Sequence, residues 1–548
     1  MGRWWPWSPL VAAAVYAVSL ASNFHSVTQS VYIAADRASA PYIGELYPHA
    51  GHGAQVVLGR FPWYTTFWIE SLTRWLPAHR VWWEVGPWGV SLLGVALVAW
   101  STAKAAGRWA ATVVAVVLVC ASPAIQGGEG GRLLTWQFAA SQHALTFAHV
   151  AVLGAFLVFL ATRGGKVGDR WVTHALACGG VAAITAAGLA SDALLGAAGV
   201  GPFLVAGIAT AVLVGGPVGR RVAGSAVAIA AVSVVGARVI EHVMRTAKVI
   251  PHPGFSVSLA PFDQWGTSAR HLGEAMLHLF NGHFGGPAFT SQVVLQTASA
   301  LVVTAAAAAA IIVAGRWVVG ARRAARGATA SAAAETAHLA FWIAAGVVLT
   351  VVVVTTNLAG KHDSSKYLVT LGYAIFALLA VAAARRRWAQ ACVVVGVCAL
   401  VAGSIDALWS PTLEARADRS PLVRASGPLF RLVRREHLDH GYARYADAAP
   451  LGWQTHAGVR VYPIAACHPK APHLCPWGFH RISSWYRPRR ATRSFLVTDS
   501  ITRNAIASLG RHIAAFHAAG LTIYVYPYDI AFKLGHCSPS GKRHRCPS

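Results

Sequence analysis

The sequence predicts a polytopic α-helical membrane protein of about eleven transmembrane helices, N-terminus inside, with a small extracytoplasmic α/β domain at its C-terminal end. Three observations predict it. The 548 residues are 55% hydrophobic and only 12% charged, against roughly 25% charged in an average soluble domain. The apolar residues gather into eleven runs, each near the ~20 residues that cross a ~30 Å hydrocarbon core. The connectors between the runs alternate in character, basic and then acidic.

The runs centre on residues 8–24, 83–101, 109–126, 144–162, 171–190, 193–214, 222–240, 294–315, 336–356, 366–384 and 388–405. The first has no small-residue cleavage site and reads as a retained helix. Residues 55–76 (QVVLGRFPWYTTFWIESLTRWL) are amphipathic and aromatic, with Arg60, Glu70 and Arg74 among them. They are expected to form an interfacial helix rather than a span. The 21 Trp and 14 Tyr suit a bilayer, whose interfaces collect amphipathic rings.

Five connectors are short and basic: TAKAAGR (102–108), RGGKVGDR (163–170), GPVGRR (216–221), RWVVGARRAARG (316–327) and ARRRW (384–388). The intervening ones (25–82, 127–143, Ser191–Asp192, 241–293 and 357–366) hold nearly all the acids. Cytoplasmic loops concentrate Lys and Arg, so the alternation places the N-terminus in the cytoplasm and the acidic connectors outside. The net charge of +26 is then explained by basic loops and anionic headgroups, and no nucleic-acid partner is expected.

The tail from residue 406 onward is polar, with 20 Lys/Arg against 8 Asp/Glu. SFLVTDS (494–500) and LTIYVYPYDI (521–530) read as strands. ITRNAIASLGRHIAAFHAAG (501–520) reads as a helix between them, capped by Asp499 or Ser500 and stopped at Gly520, giving a β-α-β unit. A basic domain outside the membrane suits an anionic surface or polymer. The aromatics of GYARY (441–445) and WGFHRISSWYRP (477–488) offer apolar faces for sugar rings. Of the 8 Cys, the pairs Cys467–Cys475 and Cys537–Cys546 suit short disulfide loops in an oxidising compartment. Zinc is the alternative, against which neither pair has C-x-x-C spacing. Cys120, Cys178, Cys392 and Cys398 lie in apolar runs and are expected to be buried.

Charged groups at a bilayer surface are costly unless they reach water or partners. The candidate site residues are therefore Asp36, Arg37, Glu45, Asp192, Arg238, Asp263, Lys361 and His362, all on the acid-bearing side. Each has a plainer reading. Asp36 could cap a loop helix, Glu45 could pair with Arg37 or Arg60, and Asp192 could cap the helix after it. Lys361–His362–Asp363 could be a solvated turn. His143 and His149 are expected to be hydrogen-bonded core residues. Residues 241–265 read as a loop, either for an acceptor or ordinary surface.

These residues give the chain a resemblance to a family. YIAADRASAP around Asp36, GRFPWYTTFW (59–68), SDALLGAAGVGPFL (191–204) and KYLVTLGYA (366–374) resemble segments of type C (GT-C fold) polyprenyl-phosphate-sugar-dependent membrane glycosyltransferases of actinobacterial type. The resemblance covers residues 1–405. It implies transfer of a sugar from a polyprenyl-phosphate donor to a cell-envelope glycan or lipid-linked acceptor, on the outer face of the plasma membrane. Asp36 would be the catalytic base. Arg37, Arg238, Lys361 and His362 would hold the leaving phosphate, with Glu45, Asp192 and Asp263 as further substrate-binding residues. Some members bind metal through an acidic pair that is absent at Asp36. No cofactor is assigned, and a divalent metal stays an open question. The rivals are a transporter or flippase of envelope precursors and a non-catalytic glycan-binding subunit. Transport predicts charges within spans and broken helices, and the runs hold few acids or bases.

Overall fold

The computed structural model describes residues 8–31, 35–46, 54–58, 79–121, 143, 145–162, 171–251, 257–284, 290–324, 330–358, 364–409, 420–455, 458–467, 473–498 and 501–535. In their described residues, the eleven apolar runs lie on helices. In chain order the membrane part comprises α1 (Ser8–Ser22), α2 (Phe24–Val31), α3 (Ala35–Leu46), α4 (His79–Ala106), α5 (Arg108–Cys120), α6 (Thr146–Thr162), α7 (Trp171–Ser191), α8 (Gly201–Val214, entered through a π-helical turn at Gly196–Val200), α9 (Gly216–Thr246), α10 (Trp265–Leu279), α11 (Ser291–Ala324), α12 (Ala330–Thr355), α13 (Val369–Ala383) and α14 (Arg387–Leu408). Among the described residues, seven helices are long and apolar enough to cross a membrane. The other four apolar helices, α1, α5, α6 and α13, are shorter.

Burial sorts the helices. The TFAHVAVLGAFLVFLAT sequence of α6 is apolar all round, and nearly every side chain is buried; α13 is the same. A helix without a polar face belongs in the middle of a bundle. The hub is α12, which packs against α4, α6, α8, α10 and α13. Gly154 of α6 lets the ring of Phe341 lie where a Cβ would sit 2.7 Å from it. Perimeter helices instead expose aliphatic side chains such as Val212, Val235, Ile311 and Val319, as a bilayer-facing surface requires.

Several expectations are corrected. Of the stretch 55–76, Val56–Leu58 is a strand, β1, rather than helix; residues 59–78 lie outside the described residues. Residues 241–246 extend α9, Val249–Pro251 forms β2, and α10 rises from residues read as connector. Its Met276 and Leu279 anchor in the main core. The basic stretch 316–327 is helical as far as Ala324. Cys120 is buried, but Cys178 and Cys398 are half-buried and Cys392 is exposed, because those three lie towards the bundle perimeter.

The tail comprises α15 (Pro421–Arg435), β3 (His440–Arg444), α16 (Tyr445–Gln454), β4 (Arg460–Ala466), β5 (Leu474–Pro476), β6 (Arg481–Ile482), β7 (Ser494–Thr498), α17 (Arg503–Ser508), β8 (Ala514–Ala518) and β9 (Leu521–Tyr526). Six strands form one mixed sheet in the order β5-β4-β3-β7-β9-β8. The expected strands at 494 and 521 are present. The helix between them is not the one expected. It stops at Ser508, its cap is Thr502 rather than Asp499 or Ser500, and residues 514–518 form β8, hairpinned to β9. Since β7 and β9 are antiparallel, that region is no β-α-β unit. The parallel crossover lies earlier, in β3-α16-β4. Cys467 and Cys475 form the expected disulfide across the β4–β5 hairpin; Cys537 and Cys546 lie outside the described residues.

A second sheet ties distant parts of the chain together. β1 pairs in parallel with β2 and antiparallel with β6. One strand thus comes from the first long connector, one from the end of α9 and one from the tail. The same junction has its own core, in which Ala38, Tyr42, Trp83, Ala190, Ala237, Trp453 and Trp485 are buried together.

Candidate functional site

That junction holds the first candidate residues. α3 is gripped from two sides. Gly44 faces Trp83 of α4 so closely that a Cβ would meet the indole at 2.4 Å. Tyr42 projects into the tail, where a Cβ on Gly452 would lie 2.2 Å from its ring. The Tyr42 hydroxyl donates to the carbonyl of Val461 (3.1 Å) and accepts from the Val461 amide (2.7 Å), closing on a β4 backbone unit as another strand would. One turn earlier, Ser39 donates to the Tyr445 hydroxyl at 3.3 Å. Pro41 lies inside α3 and has no amide to offer the carbonyl of residue 37.

Asp36 and Arg37 occupy the first turn of this helix; their side chains lie outside the described ones. Asp36 is the second residue of the helix as described, a position where a carboxylate suits the helix dipole. Glu45 is half-buried in the last turn of α3.

Asp192 belongs to a second cluster at the same end. It is 2% exposed. Its Oδ2 lies 2.7 Å from Nδ1 of His143 and accepts from the Thr146 hydroxyl, while Oδ1 accepts from the Leu194 amide at 2.9 Å. Burial pushes its carboxyl pKa up; His143 and the hydrogen bonds from His143, Thr146 and Leu194 outweigh that and hold it below the usual carboxylate range. His143 has φ 59°, a left-handed conformation that costs about 1–2 kcal/mol without glycine, and its bond to Asp192 offsets that. The His143 ring also packs 5.1 Å from Tyr367, over which Lys366 reaches. Three connectors, around residues 143, 192 and 366, are thus pinned at one point. The Leu194 bond matches the helix-start reading of Asp192, and His149 bonds the Leu145 carbonyl at 2.9 Å as a core histidine.

The remaining candidates are dispersed. Arg238 is exposed near the end of α9, 3.4 Å from Glu241. Asp263 is exposed in a 3-10 turn before α10. Lys361, His362 and Asp363 lie outside the described residues.

The two aromatic motifs meet in part. Tyr445 stacks on Trp477 at 4.9 Å, with Phe479 and His480 around it. Trp477 and Phe479 are half-buried at this rim. Trp485, by contrast, is buried and stacks on Tyr462 at 5.0 Å. It belongs to the docking core and offers no open face.

Among the described residues, no group of three or more His, Cys, Asp or Glu side chains is arranged to hold a metal ion, and no residue set is assigned to one. Sequence reasoning missed Tyr42, Trp83 and Gly452 as the clamp on α3, and the pairing of His143 with Asp192. Tyr42 and Val461 stand 419 residues apart and His143 and Asp192 stand 49 apart, so no local spacing announces either contact. Both pairs could have been sought among residues placed on the same side by the connector alternation.

No protein-family model matches the chain, and no curated protein matches it. Among solved structures it is similar to ArnT from Cupriavidus metallidurans bound to undecaprenyl phosphate, at 11% identity and a TM-score of 0.47, covering 93% of this chain and 97% of that one. At that level of likeness, nothing about ligand or activity passes from one chain to the other.

Proposed function

We propose that the protein is a membrane glycosyltransferase of the type C kind, moving a sugar from a polyprenyl-phosphate donor to a cell-envelope glycan or lipid-linked acceptor at the acid-bearing end of the bundle. The observation that carries this reading is the grip on α3. The helix that carries Asp36 in its first turn is held between Trp83 and the tail strand β4, where the bundle and the tail meet. A donor anchored in lipid and a polar acceptor can both reach that level. Positions held by packed elements are what a transfer site needs, since misplacement by an ångström is costly.

In the proposed reaction Asp36 takes the proton of the acceptor hydroxyl. The oxygen bonds to the anomeric carbon as the bond from that carbon to the phosphate oxygen breaks, and polyprenyl phosphate leaves with the electron pair. Arg37, Arg238, Lys361 and His362 offset the charge on the departing phosphate. Glu45 and Asp263 complete the substrate-binding set, and Asp192 acts through the connectors it pins. Trp477 and Phe479 supply apolar ring faces to the acceptor glycan. The Cys467–Cys475 disulfide supports an oxidising compartment for the tail.

The test is a transfer assay with purified protein and a panel of polyprenyl-phosphate sugars, following release of polyprenyl phosphate. Loss of one general base costs about 10²–10⁴-fold, and Asp36→Asn is expected to lose that much in kcat with little change in the unfolding midpoint. Unchanged turnover in Asp36→Asn would remove Asp36 from the reaction. A wild-type protein inert towards every donor, with acceptors supplied, would favour the binding-subunit or flippase readings.

A further inference from the structure

The opposite end of the bundle, which carries the basic connectors, holds a cavity of about 950 Å³ between α8, α11, α12, α13 and α14. Its depth is lined by apolar side chains, Val302, Phe376 and Val397 among them. Its mouth differs: Arg316, Arg385 and Arg386 stand there beside Trp317 and Trp388. The one carboxylate among the described lining residues is Glu335, which pairs with Arg385. Arg316 and Arg386 are exposed and pair with no other described residue.

The dimensions are those of one leaflet. From Trp388 at the mouth to Val397 in the depth, α14 advances nine residues, about 14 Å at 1.5 Å per residue. Half of a ~30 Å hydrocarbon core is nearly the same. The charge is also ordered with depth, three arginines and one glutamate outermost and none further in. Arginine held beside tryptophan at headgroup level, above an apolar slot, complements an anionic group carrying a hydrocarbon tail.

We propose that this groove seats one anionic phospholipid drawn from the leaflet on the basic-connector side, its phosphate between Arg316 and Arg386 and an acyl chain along α11 and α14. A free phosphate ion would leave the apolar depth unfilled. The proposal is independent of the transfer reaction, whose residues lie at the other end.

Native mass spectrometry of the delipidated full-length protein, titrated with phosphatidylglycerol, phosphatidylethanolamine or undecaprenyl phosphate, tests it. One phosphatidylglycerol is expected to bind ahead of phosphatidylethanolamine by roughly 30-fold, the product of two arginine contacts near a lipid surface. The double variant Arg316→Gln/Arg386→Gln should lose that preference. Arg387→Gln removes an exposed arginine at the same end that does not line the groove, and should keep it. Ala305→Trp, at an exposed position on the groove wall, should weaken binding of phosphatidylglycerol and leave the size-exclusion profile unchanged. Equal binding of the two phospholipids by the wild type would overturn the proposal without recourse to any variant. So would a preference that survives the double variant or disappears in Arg387→Gln, or undecaprenyl phosphate binding ahead of both.

Discussion

At the acid-bearing end of the bundle, α3 is gripped between Trp83 and Gly452, and strands from three separate parts of the chain join in one small sheet. At the basic end, the described connectors at 107 and 215–216 are little more than helix ends. α4 passes to α5 through Gly107 alone, and α8 turns into α9 at Gly215 and Gly216, glycines that take the left-handed backbone with φ of 89°, 68° and 61°. The first end joins membrane helices to tail strands, as in the Tyr42–Val461 contact across 419 residues; the described contacts of the second end, such as Thr102 with His338 and Arg385 with Glu335, join membrane helices to one another. A reaction needs fixed positions, and at the first end the tail domain helps to fix them. A lipid anchor needs charge at the right depth, which the second end supplies cheaply.

The contrast can be broken most directly at Asp36, where the 10²–10⁴-fold loss expected above is the largest effect and belongs to the acid-bearing end alone. The next largest effect concerns the grip itself. Gly452→Ala places a Cβ against the Tyr42 ring, and overpacking of this kind costs about 1–3 kcal/mol. Tyr42→Ala removes the ring and both bonds to Val461, at about 3–5 kcal/mol for a buried aromatic. The double variant should cost less than the sum, because the clash disappears with the ring. Thermal unfolding midpoints of the four proteins form the cycle. Strict additivity would mean that Tyr42 and Gly452 do not meet as described.

How much of this was legible in the sequence follows the same division. The eleven runs and the connector alternation are one-dimensional signals, length and charge, so they survive without an alignment or a fold. Both sheets at the acid-bearing end are products of distance. β1 sits in a stretch whose aromatic, amphipathic pattern reads as helix, yet its partners are residues 249–251 and 481–482. Residues 514–518 mislead for another reason. AAFHA is rich in a strong helix former, but Ala514, Phe516 and Ala518 pack on the core while Ala515 and His517 face out, the period of a strand. Pairing with β9 overrode local propensity. Asp36 was singled out by its place after the first apolar run; the clamp that would hold it was invisible because its three parts lie on α4, β4 and α16.

The His143–Asp192 pair belongs to the acid-bearing end, where it pins three connectors. Asp192→Asn leaves donors from His143, Thr146 and Leu194 facing an amide, with an expected cost of about 1–3 kcal/mol. The pH dependence gives the sign. The folded carboxyl sits below its ordinary value, so its contribution is fully present above about pH 4 and is lost as the pH falls through the folded value. Unfolding midpoints measured from pH 7 down to pH 3 should fall more steeply for the wild type than for Asp192→Asn. Parallel curves would deny the pair a role in stability.

The smallest stability effect is expected at Arg238, and it separates the two meanings a charge can have at this surface. The guanidinium is 78% exposed and 3.4 Å from Glu241 one turn on, an arrangement worth less than about 1 kcal/mol in water. As a structural residue it is nearly dispensable, so Arg238→Gln should leave the unfolding midpoint within error of the wild type. As a group meeting the donor phosphate, it holds the charge the phosphate already carries and the charge it gains on leaving, so Arg238→Gln should raise KM for the polyprenyl-phosphate donor several-fold and lower kcat as well. Glu241→Gln removes the partner without touching that attraction, so it should leave KM the same or lower. If Arg238→Gln and Glu241→Gln move KM equally and in the same direction, the pair serves the helix and not the donor, and the phosphate must be met by the cations nearer α3.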